Sequence, residues 1–105
     1  MSDSELLDAA LALVSQDDIG EIEGVANSLR RAYNDATEQG EATDMAWRAA
    51  MHADNEAKAK MAAFVHERSS TLANSQHIGF HQARQWVARA VRIRRLQIMK
   101  EGVPS

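Results

Sequence analysis

Cysteine is absent from this chain. Its absence excludes disulfides, thiolate metal sites, iron–sulfur clusters and cysteine nucleophiles, and it fits a reducing compartment. Proline occurs once, at Pro104, in the tail. The aromatic side chains are Tyr33, Trp47, Phe64, Phe80 and Trp86, so the apolar content rests on aliphatic residues and above all on alanine. No apolar run approaches the roughly 18 residues that a membrane span needs. The opening Met1-Ser2-Asp3-Ser4-Glu5 has neither a basic start nor an apolar stretch. It therefore predicts no secretion signal and no membrane anchor, and the expected location is the cytoplasm.

Catalytic signatures are equally scarce. No Glu-x-x-His pair occurs, which removes the di-iron bundle pattern. Gly20 and Gly24 do not have the spacing of a phosphate-binding loop. No serine sits in a nucleophile-elbow sequence. His77 and His81 are four residues apart and would share a face if both lay on one helix. They are the weak metal candidates of the chain. The glutamate of a zinc protease is missing between them, no third ligand follows, and zinc sites normally need three or four good ligands. No cofactor is expected, and the chain reads as a non-enzyme.

Charge is distributed unevenly. Residues 1–44 hold eleven acids against two bases, Arg30 and Arg31, for −9. Residues 45–105 hold four acids against ten bases, for +6, which restores the overall −3. Between Ser69 and Lys100 there is no carboxylate, against five arginines and one lysine.

What is present is helical periodicity. The 105 residues suit a single helical domain over 1–105, large enough to bury its own core. Ser2 and Glu5 have capping-box spacing, and Leu6, Leu7, Ala10, Leu11, Leu13 and Val14 form an apolar stripe that should end near Gln16. Asp17 and Asp18 are placed to cap a second helix whose stripe runs from Ile19 to Ala36, with Gly40 as its stop. Gly20 and Gly24 weaken its start, and a close helix crossing would explain them. Thr43 or Asp44 can cap a third helix with a narrow alanine stripe leading to Met61, Phe64, Arg68 and Leu72. Unbroken to Ser69, it would be about 38 Å long. The polar stretch within 69–77 predicts a loop. A fourth helix follows to about Glu101, with Gly102 as its stop and Pro104 beyond. The expected fold is all-α: four helices in a small bundle or as paired hairpins, the third one long. Alanine-rich stripes and opposite charges in the two halves point to a homodimer or higher oligomer.

The fourth helix carries the main candidate site. At 100° per residue, Phe80, Ala83, Trp86, Val87, Ala90, Val91, Ile93 and Ile98 share one broad face, and Arg84, Arg89, Arg92 and Arg95 lie on the other. Arg94 falls on the apolar side and must snorkel, pair with a carboxylate or mark a bend. The arginines could bind the acidic half of the chain, since their planar forks hold carboxylates bidentately. They could contact nucleic-acid phosphates and base edges, although the acidic balance of the chain argues against a dedicated nucleic-acid domain. They could also meet an acidic protein surface or an anionic membrane face. The acids of the second helix and its ends, from Asp17 to Asp44, could mimic the charge of nucleic acid, or simply serve as helix starts and polar faces. Trp47, flanked by Met45 and Met51, is the first place to look for an exposed apolar contact surface.

The reading that follows is a small interaction protein, an adaptor, inhibitor or regulatory subunit in the style of a bacterial or phage accessory factor. It would bind another protein without entering the membrane. A DNA- or RNA-binding regulator using the arginine-rich helix is the alternative, and a small-ligand binder at a subunit interface is a third.

Overall fold

The structure, a computed structural model, describes residues 2–101. The expected stop at Gly102 and the tail with Pro104 lie outside the described residues. Four α-helices and no strand occur among those described: α1 (Asp3–Leu13), α2 (Gln16–Glu38), α3 (Asp44–Gln76) and α4 (Phe80–Glu101). The all-α expectation with a long third helix therefore holds. The 33 residues of α3 span about 50 Å at 1.5 Å each. They account for the long axis of a molecule measuring 54 × 31 × 16 Å.

Local chemistry sets the boundaries, and three of them differ from the sequence reading. α1 ends at Leu13, short of Gln16. Ser15, not an aspartate, caps α2. Its hydroxyl accepts from the Asp18 N–H at 3.1 Å while the Asp18 carboxylate accepts from the Ser15 N–H at 3.5 Å, a reciprocal capping box. No loop interrupts 69–76. Ser69 and Thr71 donate their hydroxyls to the carbonyls of Val65 and Glu67 one turn back, at 2.5 and 3.2 Å. In that arrangement residues that often end helices are satisfied inside one. Leu72, fully buried, anchors the same turn to the core.

The connections are short. After α2, Gly40 takes a left-handed conformation (φ 74°). The Gly40 N–H donates to Thr37 O and the Glu41 N–H to Ala36 O, the bond pair of a Schellman motif. After α3 the left-handed position belongs to His77 (φ 55°), with Ile78 N–H bonded to Ala73 O at 3.2 Å. Both turns reverse the chain, so α2 and α4 each run antiparallel to α3. α1 packs on α4 and α3.

Two regions result. The base joins α1, the start of α2, the second half of α3 and α4. Its core contains Ala10, Val14, Ile19, Met61, Leu72, Ala83, Val87, Ala90 and Val91. The arm is a hairpin of the rest of α2 with the first half of α3. Its buried residues are Ala26, Ala50 and Ala53, and Arg30 bridges to Asp54 across it at 2.5 Å.

The last turn of α1 contains no basic residue, and the carbonyls at its end are met by arginines from two other helices. Arg94 donates through Nε to Val14 O at 2.8 Å and through Nη2 to Leu11 O at 3.0 Å. Its Nη1 reaches Gln97 Oε1 at 3.0 Å. Arg68 donates through Nε to Leu13 O at 3.0 Å, with its guanidinium over the Phe64 ring. Arg94 thus neither snorkels nor pairs with a carboxylate. It neutralises the negative end of a helix dipole from inside the fold.

Candidate functional site

α2 and α4 converge where each meets the middle of α3. Gln16 Nε2 donates to Gln97 Oε1 at 3.2 Å, and the Arg95 guanidinium grips the Glu23 carboxylate, its Nε at 2.7 Å. Beyond that junction they stand apart on opposite sides of α3, leaving an open groove of about 910 Å³ with a predominantly apolar lining. α3 supplies the floor with Ala57, Met61, Ala62 and Val65. The α2 wall carries Gly20, Glu23, Gly24, Asn27 and Arg30, and the α4 wall carries Phe80, Arg84, Ala88 and Arg95. Phe80, expected among the core residues, is 40% exposed, and its ring lies 5.0 Å from that of His66.

The four arginines of the sequence-based site are all exposed, but they do not act as one surface. Arg84 and Arg95, eleven residues apart, are within about 20° of each other on the helix wheel, and both line the groove. Arg95 is already engaged by Glu23. Arg92 does not line the groove, and Arg89 lies over the Trp86 ring at 4.9 Å, a cation–π contact. Of the five arginines on α4, only Arg95 pairs with the acidic half of the chain among the described residues.

The groove's charges are unequal. Its two carboxylates, Glu23 and Asp54, are held by Arg95 and Arg30. Lys58 and Arg84 have no ion-pair partner among the described residues. The free charge along an apolar groove is therefore positive, in a chain whose net charge is −3.

Comparison with protein-family models, with curated proteins and with solved structures returns no match. The site is therefore read from its own geometry.

Trp47 is 47% exposed, and Met45 and Met51 beside it are 81% and 41% exposed. Trp47, Met51, Asp54 and Lys58 follow at spacings of four, three and four, which keeps them on one face of α3. They extend the α3 side of the groove onto the arm. The acids from Asp17 to Asp44 form no single patch: those at the two ends of α2 are roughly 30 Å apart. Asp18 is engaged in the capping box and Asp44 pairs with Arg48 at 2.8 Å.

The histidine pair does not form as a helical pair. His77 occupies the left-handed position that ends α3, and His81 is the second residue of α4. The intervening turn destroys the shared face that four-residue spacing requires. His81 Nε2 instead lies 3.3 Å from Gln85 Nε2. No group of three or more potential metal ligands occurs among the described residues, and no helix among them is long and apolar enough to cross a membrane.

Sequence reasoning missed the groove. Its floor residues were visible as a stripe, but its width depends on where α4 crosses α3. The one available signal was the Gly20–Gly24 pair. A close helix crossing does not explain it among the described residues, because no atom of another helix lies within 4 Å of the position a Cβ would take at either glycine.

Proposed function

We propose that this chain works by binding another protein, as an adaptor, inhibitor or regulatory subunit, and that the groove between α2, α3 and α4 is where the partner docks. The observation that carries this reading is the large apolar groove with polar walls, continued by Trp47 and Met51 onto the arm. A groove with helices on three sides suits a helix laid into it, a recurring mode of peptide recognition. Exposed methionine and tryptophan suit such contacts, since they give large contact areas and adapt their shape.

Site-directed photo-cross-linking tests this reading. A photoreactive residue at Ala62, on the exposed groove floor, should give one discrete protein adduct in extracts of the source organism. The adduct should disappear when Ala88→Trp fills the groove, and a probe at Ala32, on the opposite flank of α2, should give none. Equal adducts from both positions would sink the assignment.

The nucleic-acid reading has less support. Arg94 is engaged with backbone carbonyls and Arg95 with Glu23, which leaves Arg84, Arg89 and Arg92 for phosphates. Titration with duplex and single-stranded nucleic acid should show no binding that persists near physiological salt. Persistent binding lost in Arg89→Glu/Arg92→Glu would bring that reading forward.

A second reading concerns self-association. Val25 and Leu29 are 68% and 36% exposed on the flank of α2 turned away from the groove. A second copy covering that flank would complete the thin seam of the arm. Light scattering should then give twice the chain mass, reduced to one by Val25→Glu/Leu29→Glu.

A further inference from the structure

The groove specifies its occupant more narrowly than as a protein. Three independent features bear on this, and the inference rests on the groove being a docking site. The first is length. From Asp54 to His66 the α3 side of the groove runs about 18 Å, or roughly three turns of an α-helix.

The second is charge. Glu23 and Asp54, the groove's carboxylates, are engaged by Arg95 and Arg30. Lys58 on α3 and Arg84 on α4 have no ion-pair partner among the described residues and border the same apolar floor. A basic segment entering here would meet two free cations and only neutralised acids. An acidic one would find two open, exposed partners, and such charge complementarity steers encounter and sets register.

The third is the shape of the α2 wall. Gly20 and Gly24 stand one turn apart and line the groove. Glycine inside a helix is unfavourable relative to alanine. Apart from the adjoining residues and the backbone of α2 itself, no atom of the described residues lies within 4 Å of a Cβ built at either one, so packing within the fold does not require them. They leave a flat strip of backbone on which another backbone can ride closely.

We propose that the groove seats an acidic amphipathic helix of about three turns, which crosses α2 over Gly20 and Gly24 and places carboxylates against Lys58 and Arg84. The occupant is a foreign segment. The main apolar stripes of the chain's own acidic helices are already buried, α1 through Leu6 and Ala10 and α2 through Ile19 and Ala26.

The test uses the full chain and synthetic amphipathic peptides of about 14 residues, with leucine and alanine on one face. The other face carries glutamate, glutamine or lysine, and binding is read by fluorescence anisotropy. Glutamate-faced peptides should bind at least about tenfold more tightly than glutamine-faced ones, and lysine-faced peptides should not bind. Lys58→Glu/Arg84→Glu should invert that order. Gly20→Leu/Gly24→Leu should weaken binding by more than about tenfold without lowering the melting temperature. Gly20→Ala/Gly24→Ala, the milder change, should weaken binding while raising the melting temperature. Glutamine- and lysine-faced peptides binding as well as glutamate-faced ones would overturn the acidic assignment and leave the groove as a helix site. No binding by any peptide would remove the groove reading itself. Self-association abolished by Ala62→Trp would make a second copy the occupant and overturn the proposal.

Discussion

The base and the arm are made from similar residues, alanine and aliphatic side chains, yet they differ in how completely they bury them. In the base, Val14, Ile19, Leu72 and Val87 are fully buried, because α1 and α4 cover faces of α3 that α2 does not reach. In the arm, α3 has only α2 beside it. Two helices share one seam, and the buried residues there are alanines, while Val25, Met45 and Trp47 remain open. The difference teaches that apolar periodicity marks a helix face without saying whether the fold contains a partner for it. The groove lies where the two regions meet.

The largest effects should fall in the base. Leu72→Ala should destabilise the fold by about 2–5 kcal/mol, since the fully enclosed site cannot collapse freely. Val25→Ala, in the arm, should change stability by no more than about 0.5 kcal/mol. Urea unfolding of both variants compares the regions directly, and equal losses would erase the distinction. Arg94→Met should follow at about 1–3 kcal/mol, because the Val14 carbonyl loses its charged donor and the Leu11 carbonyl keeps only the Val14 N–H. Arg94→Lys should recover only part of this, as an ammonium lacks the fork that reaches both carbonyls.

Smaller effects should stabilise. Gly20→Ala/Gly24→Ala should add about 1–2 kcal/mol in total, from helix propensity alone. A loss on thermal unfolding would mean that these glycines serve a contact inside the fold. His77→Gly should add up to about 1 kcal/mol by relieving a left-handed residue with a Cβ, and an unchanged midpoint would show that the turn tolerates histidine without strain.

The sequence contained the helices but little of their arrangement. The Ser2 and Thr43 caps, the Gly40 stop and the stripes through Ile19, Met61 and Val87 are local, and each was legible. The α3 end was misread because Ser69 and Thr71 can either cap a helix or bond back into one, and burial of Leu72 decides between these. Arg94 could not be assigned because its partners, Leu11 and Val14, are some eighty positions away. The arginine face looked uniform on a wheel. Only the positions of α2 and α3 separate the groove-lining Arg84 and Arg95 from Arg92 and from Arg89 on Trp86.

Native-state hydrogen exchange, with and without a groove-binding helical peptide, tests the central claim most directly. In the free chain, amides of residues 27–57 should open at lower free energy than those around Leu72 and Val87, because little apolar area holds the arm. With peptide bound, protection should rise along α2 from Gly20 to Arg30 and along α3 from Asp54 to His66, and the base around Leu72 should change least. Uniform protection in the free chain, with no gain along those segments on adding peptide, would contradict a completed base carrying an arm and groove that await a partner.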